Sequence, residues 1–232
     1  SAQYRKPGAI QHKTYRPQVK ADPKLIESAV DMIAAAERPV FYTGGGIINA
    51  GPNASTMLRE LQRLTGAPVT STLMGLGAYP ASGDAWLGML GMHGTYEANM
   101  AMHGADLIVC LGARFDDRVT GRLDAFSPNS KKIHVDIDRS SINKIVRVDL
   151  GVVGDVGRAI EDMVKVWKAR QYAKTDLTAW WAQIDQWRAK NSLGFAKSKS
   201  EIMPQHAVRA LWEATHKRNP ITGERLTGLA RV

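Results

Sequence analysis

A short apolar run that ends in three consecutive glycines constrains this chain more than any other feature. Residues Val40–Thr43 form the run, and Gly44, Gly45 and Gly46 follow directly. Glycine tolerates positive φ angles and lets another group approach the main chain closely. A helix that starts after such a turn presents unpaired N–H groups and a positive dipole end to a phosphate. The pattern predicts a buried strand and a nucleotide-phosphate site. Because the spacing is not G-x-G-x-x-G, a tight turn without a ligand stays equally open.

Further short apolar runs alternate with helical patterns along the chain. The predicted strands are Val40–Thr43, Pro68–Leu73, Ala85–Leu90, Leu107–Leu111, Lys132–Asp138 and Val152–Val153. Apolar residues at helical spacing predict helices over residues 22–38, 52–65, 96–103, 155–170, 174–188 and 202–214. Strands that are apolar on both faces belong to parallel sheets covered by helices on both sides. The sequence therefore predicts an α/β fold: a doubly wound, mainly parallel, six-stranded Rossmann-like sheet with flanking extended and helical segments.

The ends of the predicted strands carry residues suited to a nucleotide crevice. In doubly wound sheets the ligand lies at the carboxyl ends of the strands. Five of the six ends contain glycine or aspartate, at residues 44–46, 91–94, 112–116, 136–138 and 154–155. The second strand ends in Ser71-Thr72, where an NAD-binding dehydrogenase would place an acidic residue. A dinucleotide bound here should therefore lie differently from NAD in a dehydrogenase.

Charge and composition exclude several classes of protein. The net charge of +9 is concentrated in the flanks, since residues 21–187 carry 17 basic and 19 acidic side chains. A nucleic-acid-binding protein would place its basic stripe on the folded surface, so we expect no nucleic-acid partner. No apolar run approaches the ~20 residues of a membrane span, and the N-terminal residues contain no apolar signal core. The single cysteine, Cys110, lies in an apolar run as core filler. These features predict a reducing, cytoplasmic location.

Seven stretches together resemble the acetolactate synthase catalytic subunit family. They are Gln11–Pro17, Arg38–Asn49, Ser71–Pro80, Met89–Thr95, Gly112–Gly121, His134–Asp138 and Met203–Trp212. The resemblance runs from about residue 7 to 219, and Ile221–Val232 does not look like the family's next segment. It implies a transferase of branched-chain amino-acid biosynthesis that condenses two pyruvates, or pyruvate with 2-oxobutyrate. The family uses thiamine diphosphate held through Mg²⁺, and it binds FAD that does no net redox work.

The resemblance also implies a domain organisation. The family's subunit has a pyrimidine-binding, a central FAD-binding and a pyrophosphate-binding domain. Residues 1–21 look like an extended connector, 22–172 like the FAD-binding domain, 173–200 like a helical linker, and 201–232 like a truncated start of the pyrophosphate-binding domain. The full-length enzyme is expected to be a homo-oligomer, with or without a regulatory small subunit.

Matching motifs carry the family's site residues onto this sequence. The implied FAD contacts are Gly44, Gly45, Gly46, Thr72, Leu73, Leu90, Gly91, Met92, His93, Gly112, Ala113, Arg114, Phe115, Asp116, Asp136, Ile137, Asp155 and Val156. Asp136 is the candidate for a ribose hydroxyl, because a carboxylate can accept from both hydroxyls. Met92, Asp117 and Arg118 resemble family positions near the substrate entrance.

Simpler interpretations of these residues stay open. Arg114 and Asp116 could pair across a loop. His93 could be a satisfied loop histidine, while His103 and His134 are expected to be structural. No His, Cys or Asp set has metal-ligand spacing, so no metal site is predicted.

The family's catalytic parts are not found in this stretch. Thiamine is activated by a glutamate from the first domain, and a Gly-Asp-Gly motif in the third holds Mg²⁺ and diphosphate. The nearest sequence here, Gly154-Asp155-Val156, is not that motif. We therefore expect no catalytic residue in this chain and no activity from it alone. A stand-alone nucleotide-binding or regulatory module on the same fold is the alternative.

Overall fold

The structure, a computed structural model, describes residues 17–196, 198 and 200–215 of the chain. Its strands are β1 (Pro39–Thr43), β2 (Val69–Ser71), β3 (Trp86–Met89), β4 (Leu107–Leu111), β5 (Lys131–Asp136) and β6 (Leu150–Val153). Its α-helices are α1 (Pro23–Ala35), α2 (Gly45–Asn49), α3 (Pro52–Thr65), α4 (Tyr96–Gly104), α5 (Asp117–Thr120), α6 (Val156–Ala169), α7 (Thr178–Arg188) and α8 (Pro204–Thr215). Short 3₁₀ turns cover Leu73–Gly75, Leu123–Ala125 and Arg139–Ser141.

The six strands form one parallel sheet in the order β3-β2-β1-β4-β5-β6. This confirms the predicted doubly wound α/β fold, and among the described residues every strand pair is parallel. The direction of winding reverses between β1 and β4, whose residues Pro39–Thr43 and Leu107–Leu111 pair in register. Ligands of such sheets bind outside the carboxyl ends of the strands at this reversal point.

Helices cover both faces of the sheet and create two apolar cores. One core joins α1, α3 and α6 to side chains such as Phe41, Val109 and Val135. The other joins α4 and α7 to the alternate side chains, among them Val40 and Ile108. All five residues of β1 and of β4 are buried, which explains why both sequences are dominated by apolar residues.

Helix α7 packs directly on the sheet domain through its tryptophans. Trp180 is 4% exposed and donates its Nε1–H to the Pro39 carbonyl at 3.2 Å. Trp181 donates its own Nε1–H to the Gly66 carbonyl at 3.0 Å. The helix begins at Thr178, later than the predicted residue 174, because the Asp176 carboxylate accepts the Thr178 N–H and forms a turn there. The tryptophans therefore serve packing, as their helical spacing predicts.

Local hydrogen bonds shorten two predicted strands. Strand β2 ends at Ser71 because Thr72 caps the following 3₁₀ turn through its hydroxyl, which accepts the Gly75 N–H at 3.1 Å. Strand β5 ends at Asp136 because its carboxylate accepts the Asp138 N–H at 2.8 Å and turns the chain.

The flanks of the sheet domain fall only partly within the description. Residues 17–21 contain no helix or strand, and the Val19 carbonyl accepts the Asp155 N–H at 2.9 Å. The rest of the predicted connector, residues 1–16, lies outside the described residues. Helix α8 confirms the predicted helix over 202–214, while the tail from 216 onwards also lies outside.

Candidate functional site

A cleft lies at the carboxyl ends of β1, β2, β3 and β4, around the reversal point of the sheet. It encloses about 610 Å³, a volume within the usual range of small-molecule sites. Its lining residues are Gly45, Gly46, Ile48, Asn49, Thr72, Leu73, Met74, Met89, Leu90, Met92, His93, Gly112, Ala113, Arg114, Asp116, Arg118 and Val119. The fold therefore brings four of the predicted strand ends to one cavity.

The glycine turn after β1 is shaped first by its packing against β4. A Cβ on Gly44 would lie 2.4 Å from the Gly112 carbonyl oxygen, and one on Gly46 would lie 2.7 Å from the Gly112 Cα. The Gly44 N–H donates to the Leu111 carbonyl at 3.0 Å, and the Gly46 N–H donates to the Gly112 carbonyl at 2.9 Å. Of the three glycines, only Gly45 combines a place in the cleft lining with an N–H that has no partner among the described residues.

Opposite the glycine turn, the side of the cleft formed after β2 and β3 is apolar and unusually exposed. Leu73 and Met74 follow β2 with exposed fractions of 68% and 75%, and Met92 across the cleft is 63% exposed. Ile48, on the first helical turn after the glycines, is 45% exposed. Grouped exposed apolar side chains mark ligand or protein contact surfaces. This rim is suited to a flat, largely apolar group.

The turn after β3 is clamped by a residue that sequence reasoning did not single out. The Asn99 amide on α4 accepts the Gly91 N–H at 2.8 Å and donates to the Gly91 carbonyl at 3.0 Å. Gly91 has φ +90, and a Cβ there would lie 2.5 Å from the Arg118 carbonyl oxygen. Met92 donates its N–H to the same carbonyl at 2.9 Å. The turn is thereby held against the loop that follows β4.

That loop supplies the charge of the cleft. Asp116 caps α5 by accepting the Arg118 N–H at 3.1 Å. This bond, together with the positive charges of Arg114 and Arg118, holds the pKa of Asp116 below its usual value. No ion pair joins Arg114 to Asp116, and neither arginine forms one with any described residue. Both guanidinium groups are available to an anionic ligand.

The predicted cofactor contacts divide between the cleft and its surroundings. All of them line the cleft except Gly44, Gly91, Phe115, Asp136, Ile137, Asp155 and Val156; of the predicted entrance residues, Met92 and Arg118 line it and Asp117 does not.

Two of the outlying residues are carboxylates occupied in local bonds. Asp136 accepts the Asp138 N–H at 2.8 Å, and Asp155 caps α6 by accepting the Arg158 N–H at 3.0 Å. Ile137 beside Asp136 is 45% exposed. A ligand contact at the ends of β5 and β6 stays a prediction.

A smaller pocket continues from the cleft towards the loop after β5. It encloses about 230 Å³ and shares Arg114 and Asp116 with the cleft. Asp117 and Lys144 also line it, and Lys144 adds a cation that no sequence motif indicated. A ligand longer than the cleft could extend in this direction past Arg114.

A comparison with known protein families decides which family the chain belongs to. The model described as "Thiamine pyrophosphate enzyme, central domain" matches residues 26–163, more than half of the chain.

The chain is a member of the thiamine pyrophosphate enzyme central-domain family.

Three relatives confirm the resemblance that the motifs predict. The acetolactate synthase large subunit of Haemophilus influenzae is 41% identical over 213 residues, 91% of this chain and 37% of the relative. The acetolactate synthase isozyme 3 large subunit of Escherichia coli is 41% identical over 211 residues, 90% of this chain and 36% of the relative. An acetolactate synthase of Mycobacterium avium is 41% identical over 207 residues, 88% of this chain and 33% of the relative. The chain thus spans about a third of the length of these relatives.

Two further properties follow from the part of the chain that the structure describes. It contains no helix long and apolar enough to cross a membrane. Within the same residues, no group of three or more His, Cys, Asp or Glu side chains is placed to hold a metal ion.

Proposed function

We propose that this chain is the FAD-binding central domain of an acetolactate synthase catalytic subunit. The observation that carries the proposal is the cleft at the sheet reversal point, which combines unpaired Arg114 and Arg118 with the apolar rim of Leu73, Met74 and Met92. The similarity of most of the chain to proteins named acetolactate synthase supports it. The whole enzyme would condense two pyruvates, or pyruvate and 2-oxobutyrate, in branched-chain amino-acid biosynthesis.

The residues of the cleft fit the chemistry of FAD. Guanidinium groups bind phosphate oxygens through charge-assisted hydrogen bonds, so Arg114 and Arg118 would hold the diphosphate. The apolar rim would contact the flavin ring and exclude water from it. A carboxylate at Asp136 would accept from ribose hydroxyls if the adenosine end extends past Arg114. When bound, FAD supplies a redox-active flavin ring, which in this family does no net redox work.

The described residues do not fit a magnesium–thiamine diphosphate site. The nearest sequence to the required motif is Gly154-Asp155, and a Cβ on Gly154 would lie 2.9 Å from the Ala21 nitrogen. The Asp155 carboxylate is used as the cap of α6. We therefore place thiamine diphosphate and Mg²⁺ on domains of the full-length enzyme other than this one. We expect no acetolactate from this chain alone when pyruvate and all three cofactors are supplied.

Further features of the whole enzyme belong to the same proposal. The full-length protein would be cytoplasmic and form a homo-oligomer, and it could take a regulatory small subunit. The exposed apolar rim of the cleft is a surface that such an assembly would cover.

A flavin titration tests the proposal. We expect FAD fluorescence to change on addition of the chain, and Arg114→Gln to weaken binding about 10- to 100-fold because a charge-assisted bond is lost. Arg122→Gln is the matched control, since Arg122 carries the same charge but pairs with Asp124 and does not line the cleft.

Parallel titrations with NAD and ADP separate the two candidate functions. FAD fluorescence that stays unchanged at saturating protein contradicts the proposal. Binding of ADP or NAD with no FAD binding would instead favour a stand-alone nucleotide-binding module.

A further inference from the structure

Three polar side chains form a row across the centre of the sheet, on the face covered by α4 and α7. Tyr42 of β1 is the register partner of Cys110 on β4, which is in turn the partner of His134 on β5. Their exposed fractions are 0%, 0% and 1%. Polar groups this deeply buried are costly unless they find hydrogen-bond partners. The groups that accept hydrogen bonds from these three side chains therefore show which part of the chain the row stabilises.

All three side chains bond to two consecutive carbonyl groups of the loop after β4. The Tyr42 hydroxyl donates to the Arg114 carbonyl at 2.7 Å. The Cys110 thiol and His134 Nε2 both donate to the Ala113 carbonyl, at 3.1 and 2.8 Å. Burial raises the pKa of the Tyr42 hydroxyl and of the Cys110 thiol, so both retain the proton that they donate.

While Nε2 of His134 makes this contact, the other ring nitrogen makes no hydrogen bond to any described residue. A carbonyl oxygen only accepts, so Nε2 must carry a proton. Nδ1 is buried and has no partner among the described residues. An unpaired buried polar atom lowers stability. His134 Nε2 also lies 3.7 Å from the Asp136 carboxylate, and its shorter bond to the Ala113 carbonyl is its direct contact with the loop.

The row sorts the loop side chains into buried and exposed. The Phe115 ring lies 5.7 Å from the Tyr42 ring and 5.3 Å from the His134 ring, and it is 4% exposed. Its neighbours Arg114 and Asp116 are exposed and line the cleft. The row fixes the two carbonyl groups and the Phe115 ring on the side of the loop that faces the sheet. Because successive side chains of an extended segment point to opposite sides, Arg114 and Asp116 then point into the cleft.

The same loop also carries the opposite wall. The Asp116 carbonyl accepts the Val119 and Thr120 N–H groups at 2.9 Å, which starts α5. The Arg118 carbonyl on α5 accepts the Met92 N–H at 2.9 Å. Displacement of the loop would therefore move Arg118 and the Met92 turn as well as Arg114.

We propose that Tyr42, Cys110 and His134 are positioning residues that hold the Ala113–Asp116 segment so that Arg114 faces the diphosphate of a bound nucleotide. The ligand in this inference rests on the proposed function, whereas the hold on the loop rests on the hydrogen bonds alone. A loop that is correctly placed for only part of the time lowers the apparent affinity by that fraction.

Hydrogen exchange on the nucleotide-free 232-residue chain tests the hold on the loop. The reporters are the Gly112 N–H, which donates to the Val135 carbonyl, and the Val119 N–H on α5. Tyr42→Phe and His134→Leu each remove one donor, and we expect exchange at both reporters to become about threefold to tenfold faster. His134→Gln keeps a side-chain N–H donor and should restore most of the protection.

The control variant is Val109→Ala. Val109 lies on β4, next to Cys110 in the chain but on the opposite face of the sheet, and the variant removes buried apolar volume there. It should lower the urea midpoint of unfolding. It should not make amide exchange at the loop reporters faster than exchange at amides in the other strands. Unchanged loop exchange in Tyr42→Phe and His134→Leu, or equal exchange in all four variants, would overturn the proposal.

FAD affinity, measured on the same variants, tests the consequence for the ligand. We expect the dissociation constant to rise about threefold to tenfold in Tyr42→Phe and His134→Leu, and to stay unchanged in Val109→Ala. Faster loop exchange with unaltered FAD affinity would overturn the positioning role. If the unmodified chain binds no FAD, the proposed function fails, and the exchange results still decide whether the row holds the loop.

Discussion

Alanine substitutions in the glycine turn should separate packing from ligand contact, position by position. In Gly44→Ala, the new Cβ would lie 2.4 Å from the Gly112 carbonyl oxygen and 2.6 Å from the Ala113 Cβ. Both neighbours belong to the central strand end and cannot move without disturbing β4. In Gly45→Ala, the new Cβ would meet the Met74 side chain at 3.2 Å, on the exposed rim of the cleft.

The structure sets the expected size of each effect. Overpacking a rigid site costs about 1–3 kcal/mol and occasionally more, and the contacts at Gly44 place that variant at about 3 kcal/mol. Gly45 begins α2, where alanine gains up to about 1 kcal/mol of helix propensity. That gain offsets the mild crowding against Met74, so we expect Gly45→Ala to change stability by less than about 0.5 kcal/mol. Domains of this size unfold with roughly 5–15 kcal/mol in total, so the difference is measurable.

Urea unfolding followed by tryptophan fluorescence provides the assay, with a shift in midpoint at constant slope as the signature of lost stability. Gly77→Ala reports the cost of a positive φ alone, because Gly77 has φ +94 and no atom within 4 Å of the new Cβ. Equal destabilisation of Gly44→Ala and Gly45→Ala would refute the assignment of Gly44 to packing. A loss of FAD affinity in Gly45→Ala without loss of stability would identify Gly45 as the position that approaches the ligand.

Three further predictions concern the supporting structure. Hydrogen bonds from Arg63 and Lys168 lower the pKa of Glu60 to about 2, so Glu60 stabilises the fold above pH 4.5 and that contribution is lost as the pH falls from 4.5 to 2. Urea titrations of Glu60→Gln should show a loss of about 1 kcal/mol at pH 7, modest because Arg63 is exposed, and a flatter acid limb; an unchanged acid limb argues against the pairing. Trp180→Ala should cost about 3–5 kcal/mol in the same assay, since it removes a buried indole and its bond to Pro39, whereas a cost below 1 kcal/mol would mean that α7 does not pack on the sheet. Cys110, fully buried with a thiol pKa raised by burial, should react with a thiol reagent at pH 8 only as fast as the protein unfolds, and rapid labelling of the folded protein would contradict its placement.

The fold could be predicted from the sequence because its strands are buried on both faces. The runs Val40–Thr43 and Leu107–Leu111 are dominated by apolar and aromatic residues, a pattern typical of parallel sheets that are covered on both sides. The ends of the strands were harder to predict. The side chains of Thr72 and Asp136 terminate β2 and β5 through hydrogen bonds, and these leave no trace in the spacing of apolar residues.

The candidate site could be located but not fully explained in advance. Glycine at residues 44–46 predicted a close backbone approach, and at Gly44 and Gly46 the structure shows such an approach to Gly112. The Asn99 clamp and the row through Tyr42 and His134 depend on which strands and helices become neighbours. Such contacts between distant segments leave no spacing pattern in the sequence.

The position of β1 in the middle of the sheet has a consequence for how the chain is made. Strand β1 has one neighbour in β2 and its other neighbour in β4, and Arg38 bonds to Asp106, 68 positions further along. At typical translation rates a ribosome needs roughly 3–14 s to add that length of chain. During this interval the nascent sheet ends in β1, a strand that is fully buried in the folded protein and whose unpaired edge is of the kind that seeds aggregation. Efficient production in a cell should therefore depend on a chaperone that shields the emerging chain until Leu107–Leu111 leaves the ribosome.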